Sequence, residues 1–424
     1  MIARGGYITT NVLSMVASGG SIPHNHAIAT PLHVPQYDPA FKWAVAGRSA
    51  SKLAELVATF NPAFGVGTVL ADAADPASLA ALAGSTRAVI STAGPYTDHG
   101  SLLVGACAAA GTHYADLSGE PFWQRDMVDR FDATARCTGA KIVLASGYDS
   151  VPFDLGTLHA ADALRESLRR SGDESLALSS VTALVTESRG WLSGGTLQSA
   201  LRSFTAVRSG KVTAVAAADP YLLVSHDDVG VVGACRADSA VDGWARFPLR
   251  FDEEHGALGI GHFMAVINAR VVRRSLALRG LRNVTYAEGI SLAALADALL
   301  FMGAKVLRGD MPVRDLVPTA GRGPSPAVLR DGRGAVRFVA STGRPRRVGV
   351  MTEVSYAGDP GYNATAKMLA EAGTCLALPA CHASAEARTV AGGGVTTASA
   401  AMGFGLLRRL ERADGGRFMR FAVL

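Results

Sequence analysis

Short apolar runs that stop at small-residue turns, each followed by a stretch of helical spacing, recur along this chain from Trp43 to Leu164. Trp43-Ala44-Val45-Ala46 reads as a buried strand ending in Gly47-Arg48-Ser49, and Ser49 or Ser51 can cap a helix over Lys52–Phe60. Val66–Ala71 predicts a second strand that ends at Asp72, with a helix over Pro76–Leu82 behind it. Ala88–Ser91 then runs into Ala93-Gly94-Pro95-Tyr96 and a helix over Leu102–Ala110, which Gly111 ends in a left-handed cap. Tyr114–Leu117 returns as a strand and Pro121 suits the first turn of a helix ending near Cys137. Lys141–Ala145 is the last strand of the unit, and a helix over Val151–Leu164 follows it. This rhythm predicts an α/β fold built on a Rossmann-like parallel sheet.

The two ends of the chain read differently. Thr9–Ala17 can form a first strand running into Ser18-Gly19-Gly20-Ser21, but Pro23, Pro31, Pro35 and Pro39 exclude a crossover helix after those glycines. On that reading the glycine-rich loop is absent from the required place, and whether the sheet keeps its first strand is left open. Beyond Leu164 the alternation loosens, and Val181–Thr186, Trp191–Thr196, Gly334–Val339 and Val348–Tyr356 predict the strands and turns of an α+β domain. Asn363–Leu378 and Thr396–Leu410 read as helices before a last strand, Phe418–Val423. The expected organisation is an atypical segment over 1–41, a Rossmann-like dinucleotide-binding domain over 42–165 and an α+β substrate or dimerisation domain over 166–358. C-terminal helices and a strand over 359–424 are expected to return to the first domain.

Composition narrows the class. The chain has 424 residues, 49% hydrophobic and 18% charged, enough for a large core divided among domains. A net charge of +5, with basic residues scattered or in short clusters such as Arg344-Pro345-Arg346-Arg347, argues against a nucleic-acid partner. Cys107, Cys137, Cys235, Cys375 and Cys381 form no CxxC pair, so buried free thiols in a reducing, intracellular compartment are expected, and no metal is implied. Ile290–Val306 is apolar but interrupted by Asp297 and Lys305, which favours a core helix over an interfacial helix on a lipid surface. No Asp or Glu precedes Asp38, a faintly transit-peptide-like start without the Arg-rich pattern, so mitochondrial targeting is a weak alternative to a cytoplasmic or membrane-peripheral location.

In open parallel sheets, ligands bind outside the carboxyl ends of the strands. Gly94-Pro95-Tyr96, Ser118-Gly119-Glu120 and Gly147-Tyr148-Asp149-Ser150 would therefore line one crevice. Arg48, directly after the second strand of such a fold, stands where a 2′-phosphate would lie, and is otherwise a solvent-facing turn residue. Asp72 can accept from an adenine amino group or simply begin a turn. Glu120 can bind a ribose hydroxyl or a substrate amine, or serve as a helix N-terminal acid favoured by the dipole. The chain has no GxSxG elbow, HExxH pair or Walker loop, so hydrolase, zinc protease and NTPase readings lack support.

The segments WAVAGRSASKL, ADAADPASL, STAGPYTDHGSLLVGACAAAGTHYADLSGEP and ASGYDSVPFDLG, in this order, resemble the saccharopine dehydrogenase-like oxidoreductases, specifically the branch containing the trans-acting enoyl reductases. GDPGYNATAKMLAEAGTCLAL and GGGVTTASAAMG resemble the C-terminal part of that branch. The resemblance implies a Rossmann domain binding NADP or NAD and a mixed α/β domain covering its cleft. It further implies a small-molecule or lipid-linked enoyl substrate, in lipid or glycolipid metabolism, with some members at a membrane or lipid droplet; a homodimer is an additional expectation. On this reading Gly47, Arg48 and Ser49 hold the adenosine phosphate, and Asp72 lies at the adenine. Ala93, Gly94, Pro95 and Tyr96 pass under ribose and nicotinamide, and Gly119 and Glu120 complete the cofactor edge. An enoyl reductase also needs an acid within reach. Tyr148 and Tyr96 can donate that proton or pack against the nicotinamide, Asp149 can orient a donor or cap a helix, and His99 is a further acid candidate. The family begins with a GATGFTG-type loop that cradles the pyrophosphate, and its absence at the required place puts cofactor binding in doubt. The rival reading is a non-catalytic relative acting at a lipid surface or as a scaffold.

Overall fold

A computed structural model describes residues 2–3, 9–11, 43–60, 62, 65–190, 205, 207–210, 212–224, 249–281, 283–312, 326–383, 385–390 and 392–424. The first sheet contains β1 (Ile2–Ala3), β2 (Thr9–Asn11), β3 (Ala44–Gly47), β4 (Gly67–Leu70), β5 (Ala88–Ser91), β6 (His113–Asp116) and β7 (Lys141–Val143). Its parallel strands run in the order β4-β3-β2-β5-β6-β7, so Thr9–Asn11 fills the central position expected of a first Rossmann strand. Ile2–Ala3 pairs antiparallel with the same two neighbours, β3 and β5. The Ser18–Ser21 turn, and with it the question of a glycine-rich loop, lies outside the described residues. All four residues of β3 and of β5 are buried, as continuous apolar runs in a sheet covered on both faces must be.

The crossovers are helices α1 (Ala50–Ala58), α2 (Pro76–Gly84), α3 (Tyr96–His99), α4 (Ser101–Ala110) and α5 (Pro121–Thr138), followed by α6 (Val151–Ser171). Asp75 caps α2 by accepting from the Ala77 N–H at 3.0 Å, with Pro76 in the first turn. Gly111 ends α4 with φ 72°, a left-handed conformation that a side chain would strain.

The second sheet contains β8 (Leu178–Arg189), β9 (Arg250–Asp252), β10 (Ala257–Gly261), β11 (Thr285–Ser291), β12 (Arg333–Thr342) and β13 (Gly349–Ala357). Its order is β13-β12-β8-β11-β10-β9, with β8 and β11 parallel and the other pairs antiparallel. Helices α7 (Ala265–Leu278) and α8 (Leu292–Leu307) flank β11, and α9 (Thr365–Ala377) and α10 (Ala398–Gly416) come late in the chain. β14 (Gly394–Thr396) adds to the first sheet beside β7, and β15 (Met419–Val423) adds to the second beside β13. The last described strand therefore joins the second sheet, and the short strand before α10 is the one that returns to the first.

One hydrophobic core spans both sheets: Val45, Ile90 and Val143 connect through Phe153 and Leu164 of α6 to Val185, Phe338 and Val354. Gly156 lets α6 approach β12, because a Cβ there would stand 2.3 Å from the Phe338 ring. The core-helix expectation for Ile290–Val306 is met on one face only. Met302 is buried, whereas Leu300 and Leu307 are 73% and 89% exposed on α8. Among the described residues, no helix is long and apolar enough to cross a membrane.

Candidate functional site

Three turns leave the carboxyl ends of β5, β6 and β7 side by side, and their backbone is tied by buried side chains. Tyr96 donates its hydroxyl to the Ser91 carbonyl and accepts from the Leu117 N–H, both at 3.0 Å, which locks the first turn to the second. Burial, with Asp116 nearby, holds this phenol well above its usual pKa. Glu120 is 3% exposed and accepts from the Tyr96 N–H at 2.8 Å, from the Thr97 N–H at 2.9 Å and from the Thr97 hydroxyl. Its oxygens serve the start of α3, an arrangement that favours the helix-terminus alternative over ribose or amine binding. Gly119 is buried between them, and His99 ends α3 half-buried.

Asp116, which the sequence pattern did not single out, joins the second turn to the third. It accepts from the Ser118 N–H and the Ala145 N–H at 3.0 Å each, from the Ser118 hydroxyl at 2.7 Å and from the Tyr114 hydroxyl at 3.1 Å. Burial raises its pKa to about 6, against the pull of those donors. Gly147 sits where a Cβ would be 2.4 Å from both Leu117 and Thr365 Oγ1, and the next N–H, of Tyr148, donates to that hydroxyl at 2.9 Å. The Tyr148 ring lies edge-on to Tyr356 with centroids 5.2 Å apart. Asp149 is raised to about 6 by burial, partly offset by the electrostatic influence of His262.

His262 belongs to the second sheet, just past β10, and is part of a buried polar set that sequence reasoning missed. Its Nδ1 lies 2.5 Å from Glu288 Oε1, which also accepts from Asn268 Nδ2 at 2.9 Å, while Tyr286 donates to Glu288 Oε2 at 3.1 Å. With Nδ1 held by Glu288, the ring turns Nε2 away from that carboxylate. Phe153, two residues into α6 from Val151, stacks on the imidazole at 5.7 Å. The available signal was a lone Glu inside the otherwise apolar run Tyr286–Ser291. Two further buried atoms, Ser150 Oγ at the head of α6 and Asn268 Oδ1, have no hydrogen-bond partner among the described residues. Buried polar atoms of this kind are seldom left unpaired.

At the other end of the sheet edge, Gly47 is buried, Arg48 is exposed and half-buried Ser49 caps α1 by accepting from the Lys52 N–H at 3.4 Å. Asp72 accepts from the Ala74 N–H at 3.0 Å, the turn-forming alternative in its simplest form. Ala93 and Gly94 present little bulk between these residues and the third turn.

A parallel sheet in the order β4-β3-β2-β5-β6-β7, with its turns gathered at the carboxyl edge and a second, mixed sheet packed through a shared core, is the layout of a dinucleotide-binding fold with an added α+β domain. Comparison with known proteins agrees. Residues 29–143 match the saccharopine dehydrogenase NADP binding domain. A trans-acting enoyl reductase of Mycobacterium leprae is 33% identical over 411 residues, covering 91% of this chain and 92% of the relative. Its counterpart in Mycobacterium tuberculosis is 32% identical over 408 residues, with 91% and 92% covered. In fold, the chain is similar to saccharopine dehydrogenase (L-Glu forming) from Saccharomyces cerevisiae, with a TM-score of 0.50, 11% identity and coverage of 99% of this chain and 100% of that one. The chain belongs to the saccharopine dehydrogenase-like oxidoreductase family, in the branch of the trans-acting enoyl reductases.

Proposed function

We propose that this protein uses NADPH to reduce an enoyl group on a lipid-type chain presented by a partner enzyme, a reading its relatives' trans-acting name supports. What supports it most is Asp149 in the third carboxyl-end turn, raised to about 6 by burial and within electrostatic reach of His262, which Glu288 anchors. The residues present fit a dinucleotide along the sheet edge: exposed Arg48 and the start of α1 suit an adenosine phosphate, and the small Ala93-Gly94 turn leaves space beyond it. When bound, the nicotinamide supplies the hydride. Asp149, with a pKa near the working range, holds the proton for the neighbouring carbon. His262, whose ring is anchored through Nδ1 by Glu288, is the group that returns that proton. Tyr148, whose phenol is pushed up by burial, orients the substrate as a neutral hydrogen-bond donor, and Phe153 and Tyr356 keep water from the pair. Tyr96 is outside this proposal because its hydroxyl is spent on Ser91. His99 is outside it because no described hydrogen bond joins it to the third turn.

The test is an NADPH titration followed by fluorescence, then NADPH consumption with a 2-enoyl thioester. Asp149→Asn and His262→Asn should each lower turnover by roughly 10²–10³, a typical general-acid contribution, with NADPH affinity held within about twofold. Arg48→Ala should weaken NADPH by roughly tenfold or more and NADH little, since it removes one charge-assisted contact worth about 1.5–3 kcal/mol. Unchanged turnover in both acid variants would remove the proton path, and unchanged turnover in Tyr148→Phe would remove the orienting role. A chain that binds no NADPH would instead be the non-catalytic relative.

A further inference from the structure

The second sheet has a face that the carboxyl-edge turns do not use. Along β12, Phe338 points at α6, so Arg333, an odd number of residues away, points to the opposite face. α8 lies on that opposite face. The Ser291 hydroxyl starts it by accepting from the Ala294 N–H at 3.0 Å, and Arg189 at the end of β8 ties it down by donating to Asp297 at 2.7 and 2.9 Å. Between α8, the end of β8 and the start of β12 is a cavity of about 560 Å³, a size that takes a small organic molecule. Leu300, Phe301 and Ala304 give it an apolar wall, and Arg189, Lys305, Arg308 and Arg333 stand around it with Asp297 and Asp331. The wall continues out of the cavity, because every exposed residue of α8, from Ala293 to Leu307, is Ala, Gly or Leu.

The charges of this cavity do not cancel. Arg333 pairs with Glu187 at 2.6 Å, and Lys305, only 5% exposed, holds Asp331 at 2.5 Å and Asp310 at 3.3 Å. Arg330 shares Asp331 at 3.1 Å. Arg308, exposed at the end of α8, has no carboxylate partner among the described residues. Arg189, Lys305, Arg308, Arg330 and Arg333 thus stand against Glu187, Asp297, Asp310 and Asp331, which leaves one positive charge beside an apolar wall. We propose that this cavity binds a single-chain anionic amphiphile, of the class of a long-chain carboxylate, at a site separate from the carboxyl edge of the first sheet and independent of the reaction proposed there. The planar fork of Arg308 matches a carboxylate head, and the chain covers Leu300, Phe301 and Ala304. A neutral lipid leaves Arg308 without its counter-charge. A dianion brings a second negative charge to a place with one cation in excess and Asp297 and Asp331 already in the wall. A small anion leaves the apolar wall in water.

The test is a titration of the full chain with a fluorescent fatty acid, with dodecanoate, dodecanol and acetate as competitors and NADPH titrated in parallel. Dodecanoate should displace the probe from one site per chain, dodecanol should do so roughly tenfold less well, and acetate should not compete. Arg308→Ala should weaken dodecanoate by roughly tenfold and leave dodecanol unchanged, because it removes only the head contact. Leu300→Asp should weaken both by roughly tenfold or more, since it sets a carboxylate in the apolar wall. Both side chains are exposed, so neither change disturbs the core, and NADPH affinity should stay the same in each. Tyr148→Phe, at the carboxyl edge of the first sheet, should leave dodecanoate binding unchanged, which keeps the fate of this site apart from that of the proposed reaction. The proposal is overturned if dodecanoate does not displace the probe, if Arg308→Ala and Leu300→Asp bind it as well as the wild type, or if Tyr148→Phe weakens it as much as they do. Attachment to vesicles of anionic phospholipid without binding of monomeric dodecanoate would also overturn it, since α8 would then meet a lipid surface and the cavity would hold no ligand.

Discussion

The carboxylate of Glu120 holds two backbone N–H groups at the head of α3, so its removal leaves both without a partner at the carboxyl edge of the first sheet. Each orphaned donor costs about 1–3 kcal/mol, and Glu120→Ala should lower stability by about 2–4 kcal/mol, read as a fall in the urea midpoint at constant slope. A loss below 0.5 kcal/mol, roughly the size of an ordinary surface change, would mean that water replaces the carboxylate. At this scale the sequence was legible in residue type and opaque in partner. Glu120 and Asp72 could be read as ligand acceptors or as turn and helix acceptors, and only the positions of the Tyr96, Thr97 and Ala74 N–H groups separate the two. His262 and Glu288 lie 26 positions apart on separate elements, so no local spacing pairs them.

Among the elements, α6 carries the most consequence, since its first turn supplies Phe153 to the site and its body packs on β12. Gly156→Ala would push a methyl into the Phe338 ring. Overpacking of this sort costs about 1–3 kcal/mol, and the displaced helix head should also weaken turnover in the NADPH assay. Wild-type stability in this variant would show that the ring gives way freely. The helices and strands between Trp43 and Ser171 were legible because buried parallel strands are short apolar runs and their turns are chemically marked. α8 was less so: its apolar composition is that of a core helix, yet composition does not record that β8 covers only one side of it.

Across the whole molecule, the two edges of the first sheet respond to acid in opposite directions. At the amino edge, burial lowers His113 and His382 to about 4, so the unfolded chain binds protons there first and stability falls as pH drops from about 6.5 to 4. At the carboxyl edge, burial raises Asp116 and Asp149 to about 6, so the folded chain binds protons first and the cost of their ionisation disappears over pH 6 to 4. Asp149→Asn should therefore be more stable than the wild type by about 1–3 kcal/mol at pH 7, and the difference should vanish near pH 4. A pH-independent difference would show that Asp149 is ionised at no cost.

β14 and β15 close one edge of each sheet. During synthesis, the exposed sides of β7 and β13 must wait for residues 394–423 to leave the ribosome, by which time nearly the whole apolar interior has already been translated. Open strand edges are templates for mispairing, so a nascent chain paused before Gly394 is a natural client for chaperones and a poor candidate for refolding as separate halves.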